Sequence, residues 1–200
     1  MVSLSGIISL QEAMNADTIA LPSLNHQQLQ LGNIEESETC RKSYYQPILY
    51  DGQKLRIQTP AVHMASLTYN KYSSGVAVLI SISTWLRQQF KILDEFVRDN
   101  VIVPETLKSD IVFGQRLYKS IQHGENIYLI LDKSCTMTQE SEDGIIDLTP
   151  QSQPSLGEGY YSFAIEFQHV YFGYHYYGYL YSINYRIKHI HFKPSKHSLS

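Results

Sequence analysis

Apolar and polar residues alternate with a period of two over much of this sequence, which is the pattern of β-strands that bury one face. The alternation is clearest from Gly159 to Phe192, where two alternating runs flank a turn between Gly173 and Gly178. We therefore predict a C-terminal hairpin with a tyrosine-rich turn. Its predicted inward side chains are Tyr161, Phe163, Ile165, Phe167 and Tyr171 in the first strand and Tyr179, Tyr181, Ile183, Tyr185 and Ile187 in the second.

Three upstream segments also carry strand patterns. Tyr44 to Gln58 predicts a hairpin, because the turn dipeptide Asp51-Gly52 separates two alternating runs. Met64 to Ser83 predicts a second hairpin, and its run from Val76 to Ile80 is apolar on both faces, as expected of a central strand. Residues 126–131 predict a further buried strand.

One segment has a helical period instead. Large apolar residues recur at three- and four-residue intervals from Leu86 to Val101, behind a Ser83-Thr84 cap. Such a stripe is typical of core packing, so we assign this helix no functional role. The predicted fold class is therefore mainly β with one central helix, either an OB-like barrel or a related antiparallel β-sheet domain.

The remaining segments lack a sustained period. Residues 1–40 are predicted to form an acidic, poorly ordered arm with one short helix around residues 10–15. Residues 41–192 then form a single β-rich binding domain. Within it, the acidic stretch 134–159 is rich in Ser, Thr, Gln and Pro, which predicts a long mobile loop. Residues 193–200 are predicted to be a disordered tail.

The net charge of −3 conceals an uneven distribution. Residues 1–40 and 134–159 carry five acidic side chains each and no Lys or Arg. Residues 41–133 carry twelve basic side chains against eight acidic ones, and residues 160–200 carry four against Glu166 alone. Basic ordered segments with acidic flexible ones suit a protein that binds a polyanion, although charge also varies along any chain without such a purpose.

Several function classes lack support in the sequence. Common nucleophile, phosphate-loop and zinc-hydrolase motifs are absent, so we expect neither an enzyme nor a cofactor. The two cysteines have no metal-site spacing, and we expect reduced thiols in an intracellular protein, with no membrane-spanning stretch. Four histidines lie close in sequence without completing a known ligand pattern, so we expect no metal site. The two cysteines are Cys40 and Cys135, and the four histidines are His169, His175, His189 and His191.

Two predicted strands show basic outer faces, Lys54 to Gln58 and Tyr181 to Lys188. Proteins that hold single-stranded nucleic acid combine cationic side chains for the phosphates with aromatic rings on which bases stack. Tyrosines of the inward set are more simply explained as core residues whose hydroxyls reach the rim. The candidate nucleic-acid-binding residues are Tyr50, Lys54, Arg56, Gln58, Tyr174, Tyr176, Tyr177, Arg186 and Lys188.

One stretch resembles a known group of proteins. The run from Tyr50 to Pro60 is similar to a "Y-x-G-x-x-L-x-I-Q-T-P" run in proteins of large eukaryotic DNA viruses. The similarity extends through Leu93 to Phe96 and the C-terminal hairpin, covering residues 44–192. It implies a virus-encoded single-stranded DNA-binding protein with an OB-like β-barrel, located in the host nucleus or cytoplasm, and it places Lys54, Arg56 and Gln58 on the binding face.

Two functional hypotheses follow. The first is a non-enzymatic protein that binds single-stranded nucleic acid, with DNA favoured, in viral DNA replication or recombination. The second is a structural or assembly protein that self-associates through the tyrosine-rich hairpin, since tyrosine is also enriched at protein interfaces. DNA binding requires Arg56, Arg186 and Lys188 on one continuous surface, whereas an assembly role does not.

Overall fold

The computed structural model describes residues 19–20, 24–39, 43–64, 66–72, 75–81, 84–103, 117–119, 122–123, 126–148, 155–175 and 178–195. The described chain is mainly β with one α-helix, which confirms the predicted fold class. The helix α1 is Thr84–Asn100, and His26–Gln28 forms a short 3-10 turn. The strands are β1 (Ile19–Ala20), β2 (Leu29–Leu31), β3 (Glu35–Glu36), β4 (Tyr44–Tyr50), β5 (Gln53–Lys54), β6 (Arg56–Gln58), β7 (Val62–Met64), β8 (Leu67–Tyr72), β9 (Gly75–Ser81), β10 (Leu117–Lys119), β11 (Gln122–His123), β12 (Asn126–Ser141), β13 (Gly144–Leu148), β14 (Ser155–Leu156), β15 (Gly159–His175) and β16 (Gly178–Pro194).

The strands form one extended sheet whose main path is β1-β6-β15-β16-β12-β9-β8-β14. In the described residues this path is open, so the sheet does not close into the barrel that an OB fold would require. The sheet is mixed, with both parallel and antiparallel pairs. Strands β10 and β12 run parallel to β16, and β1 runs parallel to β6, whereas the other ladders of the described residues are antiparallel. The strand β9 lies between β8 and β12, as predicted for a central strand.

The predicted C-terminal hairpin is confirmed as β15 and β16, each 17 residues long. Its register shifts twice, because Gln168 is an extra residue in β15 and Lys188 is an extra residue in β16. Beyond Gln168 the alternation is reversed, so that Val170 and Phe172 are buried. The prediction that Tyr171 points inward is therefore wrong, because a bulge changes which residues face the core.

The core lies between the sheet and α1. Phe90, Leu93 and Val97 are buried at the spacing expected of one helical face. The ring of Phe90 lies 6.4 Å from that of Phe167, which joins the helix to the middle of β15. No helix among the described residues is both long enough and apolar enough to cross a membrane.

The hairpin of β4 and β5 turns at Asp51 and Gly52, as predicted. Both residues have positive φ angles, 49° and 76°, which a two-residue turn of this kind requires. The chain then changes partner at Leu55, whose amide donates to the Ile48 carbonyl and whose carbonyl accepts from the Phe167 amide. This change brings β6 alongside β15.

The predicted N-terminal boundary at residue 41 is too late. Within the predicted arm, Leu24 and Leu29 are buried in the core, and β2 and β3 both pair with β4. Buried leucines and backbone pairing hold residues 24–39 against the domain, although the sequence of this segment has no periodic apolar pattern. The helix expected around residues 10–15 lies outside the described residues.

The predicted mobile loop over residues 134–159 is wrong for most of its length. Strand β12 continues to Ser141, the chain turns, and β13 pairs back onto it from Gly144 to Leu148. Much of this ribbon is exposed, so its strands do not require an apolar alternation. At the other end of the domain, β16 continues to Pro194 and so includes the first two residues of the predicted tail.

Candidate functional site

A polar face lies on the side of the sheet opposite the core. In β15, the core side chains Tyr161, Phe163 and Ile165 alternate with Ser162, Ala164 and Glu166, which lie on this other side. Directly paired residues of neighbouring strands share a face, so the register identifies the rest of the set. The polar face comprises Arg56 and Gln58 of β6, Asp132, Thr136, Thr138 and Glu140 of β12, Tyr160, Ser162, Ala164 and Glu166 of β15, and Arg186, Lys188, His189, His191 and Lys193 of β16.

A network of four charged groups occupies the middle of the polar face. The Arg56 Nε donates to Glu166 Oε2 at 2.8 Å. The Lys188 Nζ lies 3.7 Å from Glu166 Oε1 and donates to Asp132 Oδ2 at 2.9 Å. Hydrogen bonds from the Ser134 hydroxyl and amide, together with Lys188, hold the pKa of the Asp132 carboxyl well below its usual range.

In this network the carboxylates are recessed and the cations lie farther out. The side chains of Arg56 and Lys188 are each 32% exposed, whereas that of Glu166 is 6% exposed. At the end of the face, Lys193 is 59% exposed and its partner Glu140 is 34% exposed. The carboxylates therefore orient the cations from below, and the cations form the outer layer.

Arg186 is held by neutral groups. Its Nη1 donates to Asn184 Oδ1 at 2.7 Å and to the Tyr185 carbonyl at 3.0 Å. The Asn184 amide contacts His169, whose ring lies 5.4 Å from that of Tyr45. Among the residues with described side chains, Arg186 has no ion pair, although the register places it opposite Glu166.

Histidine and threonine side chains connect β12 to β16 farther along the face. Thr136 and Thr138 share hydrogen bonds with the two ring nitrogens of His189, at 2.8 and 3.1 Å. Thr138 also bonds His191, whose Nε2 lies 3.2 Å from Glu140. Burial lowers the pKa of His189, with a further contribution from His191. No group of three or more side chains suited to a metal ion occurs in the described part of the chain.

The predicted binding residues of β5 and β6 are placed as follows. Arg56 and Gln58 lie on the polar face, and Lys54 is exposed two residues before Arg56. Gln58 Nε2 donates to the Ser162 hydroxyl at 3.3 Å, while its buried Oε1 has no partner among the described residues. Tyr50 is half-buried against the core, and its hydroxyl donates to Gln28 Oε1, so its ring is not the exposed platform that the sequence predicts.

Of the three candidate tyrosines in the turn, Tyr174 lies among the described residues, and its position is far from the charged network. Tyr174 pairs with Tyr179 near the end of the hairpin, eight residues beyond Glu166 along β15. At 3.3 Å per residue the separation is about 26 Å. Tyr176 and Tyr177 lie outside the described residues. The structure therefore unites Arg56, Gln58, Arg186 and Lys188, and leaves Tyr174 at a distance.

Several members of the polar face were not among the predicted binding residues. Glu166 was expected on the outer face but not among the binding residues, and Asp132 was counted only as a charge, although both contact the basic side chains. Tyr160 was also missed, although the alternation places it on the same side as Ser162. The ring of Tyr160 lies 5.0 Å from that of His63, in an edge-to-face arrangement. A search for polar positions within aromatic strands would have found these residues.

The chemistry of the polar face suits an anionic ligand. Guanidinium and ammonium groups donate strong hydrogen bonds to phosphate and carboxylate oxygens, and Arg186 has donors that are not engaged by a carboxylate among the described side chains. Because the cations occupy separate positions across two strands, an extended ligand fits them better than a compact one. Comparison of the chain with protein-family models and with curated proteins finds no match in either set.

Proposed function

We propose that this protein is a non-enzymatic single-stranded DNA-binding protein that holds its ligand through phosphate contacts and base stacking, with a role in viral DNA replication or recombination. The observation that carries the proposal is the placement of Arg56, Arg186 and Lys188 on one continuous face of the sheet. Arg56 comes from β6, which is far in sequence from β16, the strand of Arg186 and Lys188. An assembly role would not require them to meet.

The cations suit phosphates in both position and exposure. Arg56 and Arg186 lie on either side of Glu166 in adjacent strands, and Lys188 follows on the β16 side. Exposed Lys54 extends the row beyond Arg56. The cations thus flank β15 on both sides, so the backbone of an extended single strand that lies along β15 contacts several of them in succession.

The recessed carboxylates limit the affinity. A phosphate that binds Arg56 or Lys188 has to compete with Glu166 or Asp132 for the same donors. The expected binding is therefore moderate and strongly dependent on salt, because it relies on exposed cations and on release of counterions from the ligand. Arg186 contributes most per residue, since its described partners are neutral.

The proposal is tested by fluorescence anisotropy with a labelled oligonucleotide of about 15 nucleotides at about 50 mM salt. Arg186→Ala removes a cation without breaking a described ion pair and should weaken binding roughly 3- to 10-fold. Arg56→Ala combined with Arg186→Ala should weaken it further. The matched control is Lys91→Ala, which removes an exposed cation of α1 that pairs with Glu95. Wild-type protein that does not bind, or variants that all bind equally, would refute the proposal.

An assembly role is the second candidate, because β13 offers an exposed edge. In the described residues β13 pairs only with β12, and Ile145 and Ile146 are about half exposed. Exposed edge strands with apolar side chains can pair with a further strand. Sedimentation velocity separates the two functions: self-association that Ile146→Lys abolishes, in a protein that binds no oligonucleotide, would favour assembly.

A further inference from the structure

We propose that Tyr160 and His63 form a base-stacking subsite at one end of the polar face, with Lys193 contacting the adjacent phosphate. This inference rests on the proposed function and deepens it, because it names an aromatic contact on the polar face itself. Bases of single-stranded nucleic acid stack on exposed rings irrespective of sequence, since every base has a π-face.

The three side chains lie side by side in adjacent strands. Tyr160 of β15 pairs with His63 of β7 on one side and with Lys193 of β16 on the other. Tyr160 is 46% exposed and the His63 side chain is 48% exposed. The edge-to-face contact of the rings holds the phenol in one orientation while leaving about half of its surface open.

The backbone around Tyr160 is closely constrained. A side chain at Gly159 would place its Cβ 2.3 Å from the Lys193 carbonyl oxygen, so β15 and β16 approach each other more closely here than any other residue would permit. The Ser195 amide donates to the Glu158 carbonyl at 3.0 Å, and the Tyr161 hydroxyl donates to the Gly157 carbonyl. A ring on a rigid strand loses little conformational entropy when a base stacks on it.

The ring of Tyr160 has no role in the core. Its neighbour Tyr161 is fully buried and stacks on Phe192, with ring centroids 4.7 Å apart. Tyr160 and Tyr161 thus have opposite environments, and packing in the core explains only the presence of Tyr161. A large exposed aromatic side chain on a polar face is the feature that a stacking role explains.

The subsite is continuous with the cationic part of the face. Tyr160 lies six residues from Glu166 along β15, a distance of about 20 Å. The two positions between them on this face hold the small side chains of Ser162 and Ala164. Ser162 and Ala164 are themselves buried, so a single strand lying along β15 from Tyr160 to Arg56 and Arg186 meets no protruding side chain of that strand.

Charge at the subsite differs from charge in the middle of the face. His63 lies 3.3 Å from Glu158, and Lys193 is paired with Glu140. These carboxylates offset the local positive charge, so Tyr160 should contribute through contact with the base and hardly at all through the phosphate. Replacing Tyr160 should consequently change the affinity for bases while leaving the salt dependence of binding unaltered, unlike replacement of Arg186.

The test compares a labelled thymidine oligonucleotide with an abasic oligonucleotide of equal length and charge. Tyr160→Ala should weaken binding of the thymidine strand roughly 5- to 100-fold and leave binding of the abasic strand unchanged. Tyr160→Phe keeps the ring and should bind like wild type. Ile102→Ala, which removes an exposed apolar side chain beyond α1, is the matched control.

Each outcome decides the matter. If Tyr160→Ala binds the thymidine strand like wild type, or weakens both strands equally, the subsite is wrong while the proposed function stands. If wild type binds neither strand, both the proposed function and the subsite fail.

His63→Ala provides a second variant should Tyr160→Ala not fold. Quenching of 2-aminopurine within a bound strand, present in wild type and reduced in His63→Ala, reports stacking directly, and its absence would overturn the subsite.

Discussion

Arg56 and Glu166 are 110 residues apart in sequence, yet the guanidinium Nε of Arg56 donates to Glu166 Oε2 across 2.8 Å. The contact follows from the sheet register, in which Glu166 pairs directly with Arg56 of β6 and with Arg186 of β16. A nearly buried carboxylate thus lies beneath the cations that we propose for phosphate binding. Removing the Glu166 carboxylate should have opposite effects on the two roles of these cations, which are to stabilise the fold and to bind the ligand.

Glu166→Gln should lower stability and raise affinity. The carboxylate accepts a charge-assisted hydrogen bond from Arg56, and loss of such a bond costs about 1–3 kcal/mol of the free energy of unfolding. Arg56 and Lys188 are then available to phosphates, so oligonucleotide affinity should rise severalfold. Urea unfolding and fluorescence anisotropy measure the two effects. A variant that binds more weakly than wild type, while remaining folded, would contradict this account of Glu166.

Ser134→Ala should remove stability that depends on the charge of Asp132. The Ser134 hydroxyl donates to Asp132 at 2.6 Å and helps to hold the pKa of that carboxyl below its value in the unfolded chain. A carboxyl with a depressed pKa stabilises the fold above its unfolded pKa, and this stability is lost as the pH falls. The loss caused by Ser134→Ala should be complete at about pH 7 and should shrink below about pH 4.

The pH dependence is measured by urea unfolding at a series of pH values. Asp143→Asn is a suitable control, because Asp143 is exposed in the turn between β12 and β13. A Ser134→Ala effect of the same size at every pH would show that the hydroxyl stabilises the fold independently of the Asp132 charge.

His189 should make the protein less stable in mildly acidic solution. Burial lowers the pKa of His189, and His191 adds to the shift, while Asp147 opposes it. Below about pH 6.5 the unfolded chain therefore binds a proton at this position more readily than the folded chain does. The free energy of unfolding consequently decreases as the pH is lowered. His189→Gln should reduce this decline. Identical pH profiles for wild type and His189→Gln would contradict the prediction.

Cys135 should be unreactive in the native protein. Burial raises the pKa of the Cys135 thiol to about 12, and Asp132 contributes to the shift. Because the thiolate is the reactive form, a thiol reagent should modify a Cys40→Ser variant slowly when it is folded and rapidly when it is unfolded in urea. Fast stoichiometric labelling of the folded variant would show that this thiol is accessible and ionised.

The elements with strong local patterns were predictable from the sequence. The tight turn at Asp51 and Gly52, the helix with Phe90, Leu93 and Val97, and the long C-terminal hairpin all depend on residues that are close in sequence. Turn chemistry and periodicity encode such elements directly. The basic outer positions Arg56 and Arg186 followed from the same alternation.

The features that escaped prediction depend on distant pairing. The bulges at Gln168 and Lys188 change which side chains face the core, and no local signal marks either position. The β12–β13 ribbon is largely exposed, so its strands carry no apolar period. The pairing of Glu166 with Arg56 and Lys188 likewise depends on which strands become neighbours in the sheet.

The central claim is that Arg56, Arg186 and Lys188 bind the phosphates of a single strand, and the salt dependence of oligonucleotide affinity tests it most directly. The three phosphates at these cations alone predict that the logarithm of the association constant falls with the logarithm of salt concentration with a slope of roughly −2, and contacts at Lys54 and Lys193 steepen it. In the variant with Arg56→Ala and Arg186→Ala the slope should be shallower than in wild type by roughly 0.7 per phosphate lost. A wild-type protein that binds no oligonucleotide at low salt, or equal slopes in the two proteins, would contradict the account.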